Sequence, residues 1–437
     1  MERDRTRIGA SGILGHWLDQ HARTVLFIAV GTALVLGLWK VNNRPPDMGL
    51  GQTDNFWPIA NNLLDGKGYS LCYPFYYPFC PGGSSTPTAM REPVPVLLFA
   101  GAAAISGRSL LFTMHVQLAL FIGTVLLTFM FVRGLFGHRA AAFATLAWSA
   151  YLPVSGLLNQ LSADVTGTFF LLVSACLLLR AQTKNTIASW ALAGASIGVA
   201  ALSRSALLLM AVPWCFAAYR TSGGITRWKT SWRTPAVLGC SMLLVMAPWA
   251  LRNAQVFGKA WLGTSMNGYN IWRMNAQVGT GQPLHYVSSF EADTLRTGLL
   301  ARRTDLSGVE NEAAMDKVYM AEAKAAIRRD PAHYLRLCAF RSLQLFTNLG
   351  VKQTYGASLS MADHVALAQQ LVYLALGSIG MWMLRRKGLV WIMAIALQVA
   401  GYSAMVAQMR YIIPVMPFFL AFGAYVVAQL LAHERAT

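Results

Sequence analysis

The stretch Thr24–Val41, "TVLFIAVGTALVLGLWKV", and the stretch Thr53–Ser70, "TDNFWPIANNLLDGKGYS", together decide the fold. The first is an apolar run of the length that carries a helix across a hydrocarbon core of about 30 Å. The second places an aspartate, Asp54, ahead of an aromatic, amphipathic segment. The pattern predicts a membrane-spanning helix that is followed by a carboxylate at the membrane surface.

The composition of the whole chain agrees with a membrane-spanning helix at its start. Of the 437 residues, 55% are hydrophobic and 12% are charged, whereas roughly 25% are charged in a typical soluble domain. Apolar runs recur from end to end, so we expect an integral membrane protein, and its spans must be helices because backbone groups in lipid have to be paired internally. The first run follows a basic segment and has no small-residue cleavage site, which predicts a retained signal anchor.

The apolar runs and the basic loops predict a topology. We place ten spans at residues 24–41, 110–132, 140–158, 165–181, 187–202, 205–219, 235–251, 364–384, 389–407 and 411–431. The basic connections that begin at Arg133, Arg180, Arg220 and Arg385 then share one side with the N-terminus, and the positive-inside rule makes that side cytoplasmic. The apolar piece Val94–Gly107 is too short to span and is predicted as an interfacial or re-entrant helix on the outer face.

The predicted fold class is an all-α polytopic membrane protein with about ten transmembrane helices and two outer-face loops that contain interfacial helices. It divides into a cytoplasmic N-terminus at 1–23, a transmembrane catalytic core at 24–251 that includes outer loop 42–109, an outer loop with amphipathic helices at 252–363, and C-terminal transmembrane helices at 364–437. The formal net charge is +18. The basic residues of the second outer loop fit either a solvated face that attracts anionic lipid or the recognition of a phosphorylated lipid.

Six ionisable residues come out at the same outer membrane interface in this topology. They are Asp54, Arg91, Asp164, Arg204, Arg252 and Arg410. Taken singly, each is most simply an interfacial anchor or part of an ion pair, but convergence on one membrane face favours a functional site. A carboxylate can take a proton from an attacking hydroxyl, and guanidinium groups can stabilise charge on a phosphate leaving group.

The order of several motifs resembles the GT-C class of polyprenyl-phosphate-dependent glycosyltransferases, in particular the branch of lipid A aminoarabinose transferases and protein O-mannosyltransferases. The segments are "DNFWPIANNLLDGKGYS", "REPVPVLLFAGAAAISG", "SADVTGTFFLLVSACLLLR", "GASIGVAALSRSALLLMAVP", "RNAQVFGKAWLGTSMNGYNIW" and "RYIIPVMPFFLAFGAY". Each segment alone matches many proteins, whereas six in the correct order are fairly specific for the superfamily.

The resemblance implies a role for each of the six residues. Asp54 would be the catalytic base, Asp164 a second acidic site residue and Arg91 a contact of the donor phosphate. Arg204, Arg252 and Arg410 would either bind the donor phosphate or have a structural role. A divalent metal is the one cofactor that the resemblance leaves open. Asn55 stands where the family often has another acid, which argues against a metal bridged by paired acids.

The sequence therefore predicts an inverting glycosyltransferase. It would move a sugar from a polyprenyl-phosphate donor to an acceptor hydroxyl on a glycolipid, glycan or protein, at the outer face of a bacterial inner membrane. Membrane lipids are expected partners and nucleic acid is not. The alternatives are a lipid-linked saccharide flippase or transporter, whose charges would lie deep within the spans, and an inactive member that acts in assembly. Cys72 and Cys80 flank an aromatic outer loop and could form a disulfide in an oxidising compartment.

Overall fold

The structure, a computed structural model, describes residues 21–44, 54–80, 83–227, 231–350 and 358–433. The α-helices within these ranges are α1 (Ala22–Asn42), α2 (Phe56–Leu64), α3 (Pro93–Ile105), α4 (Leu110–Ser149), α5 (Leu152–Ser155), α6 (Ala163–Lys184), α7 (Ile187–Ser203), α8 (Ala211–Thr221), α9 (Arg233–Phe257), α10 (Asn267–Asn275), α11 (Ser289–Arg302), α12 (Glu312–Arg329), α13 (Pro331–Thr347), α14 (Met361–Met383), α15 (Leu389–Met405) and α16 (Met416–His433). Short 3-10 segments join several of them, among them Gly156–Asn159, Ser205–Met210, Met409–Tyr411 and Ile413–Val415.

The helices confirm the predicted all-α polytopic class. In the described ranges, six helical segments are long and apolar enough to cross a membrane, namely Ala22–Asn42, Leu110–Ser149, Ala163–Lys184, Arg233–Phe257, Met361–Met383 and Ile413–Leu431. Three shorter apolar helices are α3, α7 and α15. The predicted span 110–132 and residues 140–149 of the predicted span 140–158 lie in helix α4, which is interrupted at Gly137 by a φ of 85°. A positive φ is readily adopted by glycine, so the chain bends there. Most of the rest of the second span falls on α5 and the 3-10 segment Gly156–Asn159. The count of ten crossings remains a prediction.

The burial of the long helices separates central from peripheral ones. We compared the most apolar 18-residue stretch of each long helix. In the Ile413–Leu431 segment 78% of this stretch is buried inside the protein, compared with 28% in α1 and 22% in α14. Large apolar side chains such as Phe27, Leu244 and Trp382 are exposed on peripheral helices. A continuous apolar exterior of this kind suits lipid and not water.

A second apolar cluster lies outside this helical core and joins the two predicted outer loops. Phe56 of α2 packs edge-on against Phe99 of α3, with ring centroids 5.9 Å apart. Buried Glu312, at the start of α12, ties the loops together: its carboxylate accepts hydrogen bonds from the Ala89 N–H at 2.8 Å and the Ser265 hydroxyl at 2.6 Å. The first outer loop thus rests on the second, and helix α3 lies where a short interfacial helix was predicted.

The loop between α2 and α3 is closed by a disulfide between Cys72 and Cys80. The segment inside it is the aromatic run "YPFYYPF", from Tyr73 to Phe79. The other four cysteines are free. The pairing that the sequence left open is therefore made in the structure.

Candidate active site

Asp54 lies at a turn of strained backbone immediately before helix α2. Both Asp54 and its neighbour Asn55 have positive φ values, 47° and 64°. Such conformations cost about 1 kcal/mol or more in residues other than glycine, and they tend to occur at functional sites. Arg91 holds the turn from two directions, because its Nη2 is 2.9 Å from Asp54 Oδ1 and its Nε donates to the Asp54 carbonyl. This fixed turn presents the Asp54 carboxylate to a cavity.

Arg410 approaches the same carboxylate from the C-terminal part of the chain. Its Nη1 is 4.0 Å from Asp54 Oδ2, and its guanidinium lies over the ring of Tyr411, 5.1 Å from the centroid. The Nε of Arg410 is buried and has no hydrogen-bond partner in the described part of the chain. An unpaired buried donor is costly, so this nitrogen is suited to a ligand that brings an acceptor oxygen.

Arg204 is the third guanidinium of the group and is held by a buried acid. Its Nη1 is 2.5 Å from Asp164 Oδ1, and the Asp164 side chain is only 1% exposed. Helix α6 places this acid in its first turn, where the capping Ser162 hydroxyl accepts from the Asp164 N–H. Gly167, one turn further on, allows the close contact, because a Cβ there would be 3.1 Å from Arg204 Cβ.

Two stacked tyrosines complete the support of Arg204. The rings of Tyr402 and Tyr411 are parallel within 9° with centroids 4.8 Å apart. Arg204 Nε donates to the Tyr402 hydroxyl at 2.8 Å, and its guanidinium lies 5.1 Å from the Tyr411 ring. Cation–π contacts of this kind favour a charged guanidinium away from bulk water.

These groups surround a cavity of about 1060 Å³. Its lining includes four of the six residues that the sequence singled out, namely Asp54, Arg91, Arg204 and Arg410. An apolar part of the lining is formed by Leu152, Pro153, Leu157, Leu208, Leu209, Met405, Val406 and Ile413. An aromatic and polar part is formed by Tyr73, Phe75, Tyr76, Asn267, Asn270 and Arg273. The cavity thus combines a cationic centre with an apolar surface.

The two remaining predicted residues lie outside this lining. Asp164 is behind Arg204, so it acts on the cavity through that side chain. Arg252 donates to the carbonyl oxygens of Thr88 at 2.7 Å and Tyr69 at 2.9 Å, and its guanidinium lies 5.2 Å from the Trp249 ring. These contacts join helix α9 to the first outer loop, so the structure gives Arg252 a structural position.

Glu92 is a cavity residue to which the sequence reading gave no role. Its Oε1 accepts from both the N–H and the hydroxyl of Ser205, each at 2.8 Å. Because Glu92 follows Arg91 and Ser205 follows Arg204, this carboxylate fixes the distance between the two arginines. The sequence signal was an acidic residue between Arg91 and Pro93 in "MREPVP". Tyr402 and Tyr411 gave no signal in the sequence, since aromatic residues are common in membrane helices.

The guanidinium groups determine the charge of Asp54. Burial of Asp54 raises the pKa of its carboxyl, but Arg91 and Arg410 lower it more, with a further contribution from Arg204. The net effect holds the pKa below the ordinary value of 3.8. Asp54 is therefore a carboxylate at neutral pH.

The donor set does not fit a divalent metal. Among the described residues, no group of three or more His, Cys, Asp or Glu side chains is placed to hold one ion. The carboxylate of Asp54 is paired with Arg91, Asp164 with Arg204, and Glu92 Oε1 with Ser205. Hard cations need several unshared oxygen ligands, whereas these oxygens face guanidinium and N–H groups.

A family model described as dolichyl-phosphate-mannose-protein mannosyltransferase matches residues 87–251, which is less than half of the chain. No curated protein matches the chain at a significant level.

Solved structures match nearly the whole chain. The archaeal oligosaccharyltransferase AglB from Archaeoglobus fulgidus, in complex with an inhibitory peptide and a dolichol-phosphate, is 17% identical with a TM-score of 0.57; the match covers 94% of this chain and 50% of that one. The apo form of the Archaeoglobus fulgidus oligosaccharyltransferase is 18% identical with a TM-score of 0.55, covering 95% and 51%. ArnT from Cupriavidus metallidurans bound to undecaprenyl phosphate is 15% identical with a TM-score of 0.42, covering 94% and 77%.

The fold is therefore that of the GT-C membrane glycosyltransferases, and the predicted resemblance is confirmed at the level of the fold. The chain is an integral membrane protein with this fold. It spans about half the length of the oligosaccharyltransferase chains that it matches.

Proposed function

We propose that the protein is an inverting glycosyltransferase that takes a sugar from a polyprenyl-phosphate donor and transfers it to an acceptor hydroxyl. The observation that carries the proposal is the ionised Asp54 carboxylate beside Arg91, Arg204 and Arg410 on one cavity wall. A sugar–phosphate transfer needs one base and several cationic hydrogen-bond donors, and this cavity contains both. The family match and the fold support the same class of reaction.

The donor would lie with its phosphate among the three arginines and its hydrocarbon chain along the apolar lining. Arg410 Nε, which has no partner among the described residues, and the part of Arg204 that lines the cavity would contact the phosphate oxygens. Guanidinium groups bind such oxygens with two parallel N–H donors, which fixes the orientation of the phosphate. Asp164 would position Arg204 without touching the donor. In this assignment Arg252 holds the loops together and does not bind phosphate.

The transfer would proceed in a single displacement. The acceptor oxygen forms a bond to the anomeric carbon as the bond from that carbon to the phosphate oxygen breaks. The acceptor proton passes to the Asp54 carboxylate, and the electron pair of the broken bond leaves with the polyprenyl phosphate. Arg91, Arg204 and Arg410 stabilise the negative charge that gathers on that phosphate. One displacement inverts the configuration at the anomeric carbon.

The proposed location is the outer face of a bacterial inner membrane, with the cavity open to the periplasm or exterior. Support comes from the basic loops that the positive-inside rule assigns to the cytoplasm and from the Cys72–Cys80 disulfide in the first outer loop, because disulfides persist in oxidising compartments. A transporter fits the cavity less well, since Asp54, Arg91, Arg204 and Arg410 gather at one cavity and, among the described residues, no such charged cluster is found deep within the spans.

Two measurements test the proposal. Purified protein in nanodiscs should bind undecaprenyl phosphate, and the binding should weaken in Arg204→Ala and Arg410→Ala variants. Mass analysis of envelope glycolipids, polysaccharides and glycoproteins should then show a sugar that is present with the wild-type gene and absent with Asp54→Asn. An unchanged envelope in cells that lack the protein and in cells that carry Asp54→Asn would contradict the enzymatic proposal.

A further inference from the structure

The disulfide-closed loop forms one wall of the cavity, which we call the aromatic wall and define as Tyr73, Phe75 and Tyr76. All three side chains line the cavity and none is fully buried. The rings of Tyr73 and Tyr76 meet edge to face at 4.9 Å, and those of Phe75 and Tyr76 at 5.1 Å. The aromatic wall is thus a preformed surface.

The aromatic wall is fixed from behind by four independent contacts. The Tyr77 hydroxyl donates to the Ser265 carbonyl at 2.7 Å, and the Tyr319 hydroxyl donates to the Tyr76 carbonyl at 2.8 Å. Arg296 donates to the Pro74 carbonyl at 2.7 Å, and the Cys72–Cys80 disulfide closes the ends of the loop. Fixing a binding surface in advance lowers the entropy that a ligand has to remove. This rigidity suits recognition better than a loop that merely covers the site.

The wall and the proposed base face the same cavity. Tyr76 and Asp54 both line it, and so does Arg91, whose Nη2 is 2.9 Å from Asp54 Oδ1. Tyr76 also packs on Tyr269 of α10, at 4.8 Å between centroids. A molecule on the wall would therefore lie in the cavity to which the Asp54 carboxylate is presented, which is where the proposed reaction needs the acceptor.

Polar groups beside the rings are available for hydrogen bonds. The phenol oxygens of Tyr73 and Tyr76 and the side-chain amides of Asn267 and Asn270 have no hydrogen-bond partner within the described part of the chain, yet all four side chains line the cavity. A hydrocarbon chain would leave these groups unsatisfied, which is unfavourable. A pyranose ring matches both the aromatic rings and the polar groups beside them. Its C–H face packs on an aromatic ring, and its hydroxyl edge hydrogen-bonds to amides and phenols.

We infer that the aromatic wall is an acceptor subsite for a carbohydrate, so that the acceptor hydroxyl belongs to a glycan or to the sugar of a glycolipid and not to a protein side chain. The inference rests on the proposed function, since it takes Asp54 as the base that faces the acceptor. A peptide acceptor is the less favoured occupant. The described part of the chain has no β-strand at the cavity to which an extended peptide could add.

Saturation-transfer NMR on the full chain in nanodiscs tests the inference directly. The probes are three neutral disaccharides, maltose, lactose and chitobiose, and a peptide of the sequence acetyl-Gly-Thr-Gly-amide. At least one disaccharide should receive saturation on its C–H protons, and the peptide should receive none. Failure of all three disaccharides, or binding of the peptide alone, would overturn the inference.

Variants locate the binding on the wall. Tyr76→Ala and Phe75→Ala should each weaken disaccharide binding about fivefold or more, because each removes a ring face. Tyr76→Phe keeps the ring, so it should retain most of the binding. It thereby shows whether a loss in Tyr76→Ala comes from the missing ring or from a misfolded loop. The double variant Cys72→Ser with Cys80→Ser should also weaken binding. Phe112→Ala, which removes an exposed ring on α4, is the control that should change nothing.

Asp54→Asn separates this inference from the proposed function. If Asp54→Asn abolishes sugar transfer in the envelope but Tyr76→Ala binds disaccharides as well as wild type does, the aromatic wall is not the acceptor subsite. The proposed enzymatic function is then still supported. If the disaccharide depends on Tyr76 but Asp54→Asn transfers sugar normally, the wall binds carbohydrate and the catalytic assignment is wrong.

Discussion

The guanidinium of Arg204 lies 2.5 Å from the carboxylate of Asp164, which is almost wholly buried. Since Arg204 lines the cavity and Asp164 does not, the acid acts on the cavity through the arginine. Buried pairs of this type are strongly destabilised when one partner is removed, because the other charge is left uncompensated. The pair thus links the stability of helix α6 to the orientation of a proposed phosphate ligand.

The first prediction concerns this pair. Asp164→Asn should weaken binding of undecaprenyl phosphate, because Arg204 loses the partner that orients it. In a double-mutant cycle with Arg204→Gln, the coupling in binding free energy should be about 0.5–3 kcal/mol. The measurement is binding to purified protein in nanodiscs, with the melting temperature recorded for each variant.

Asp316→Asn is a matched control for that cycle. Asp316 is also a nearly buried acid, paired with Lys259 Nζ at 2.6 Å, but it does not line the cavity. The control should lower the melting temperature without changing the affinity for undecaprenyl phosphate. Equal losses of affinity in Asp164→Asn and Asp316→Asn would show that the effect is general destabilisation.

The sequence was sufficient for the helices and for most of the charged cluster. Apolar runs predict membrane helices because lipid admits few other structures, and the loop charges placed Asp54, Arg91, Arg204 and Arg410 on one face. The separation of Arg252 from this group could not be predicted, because topology gives the depth of a residue but not the direction of its side chain. That direction depends on tertiary contacts such as those of Arg252 with the Thr88 and Tyr69 carbonyls.

A second prediction concerns Arg410, whose Nε is buried without a partner in the described part of the chain. Arg410→Ala should weaken binding of undecaprenyl phosphate about ten- to a hundredfold, the worth of a hydrogen bond between charged groups. Arg410→Lys should recover only part of the lost affinity, because an ammonium group cannot replace two parallel N–H donors. Arg252→Lys is the comparison, and it should lower thermal stability while leaving the affinity unchanged. A loss of affinity in Arg252→Lys as large as that in Arg410→Ala would indicate that Arg252 also binds the phosphate.

A third prediction concerns pH. Since the neighbouring arginines hold the pKa of Asp54 below 3.8, the base is already ionised above that pH, and kcat/KM should fall only when the pH drops lower still. Arg410→Gln removes one of the cations, so the pKa of Asp54 should rise and the acid limb of the profile should move to higher pH. The position of the limb is the readout, because it is independent of the overall loss of rate. Arg302→Gln, which breaks the exposed pair with Glu322, should leave the limb in place, and an unmoved limb in Arg410→Gln would contradict the proposed contact.

The last prediction distinguishes the two aspartates of the opening stretch. Asp54→Asn keeps the shape and the contact with Arg91 but removes the basicity, so sugar transfer should fall by about 10² to 10⁴, the usual contribution of a general base. Binding of undecaprenyl phosphate should persist, because the arginines remain. Asp65, eleven residues later, is the internal comparison: it lies outside the cavity and makes exposed ion pairs with Arg108 at 2.7 Å and Lys67 at 3.2 Å. Exposed pairs contribute little to stability, so Asp65→Asn should change neither transfer nor binding. Normal sugar transfer by Asp54→Asn would show that Asp54 is not the general base. A greater loss of transfer in Asp65→Asn would indicate that Asp65 is the base instead.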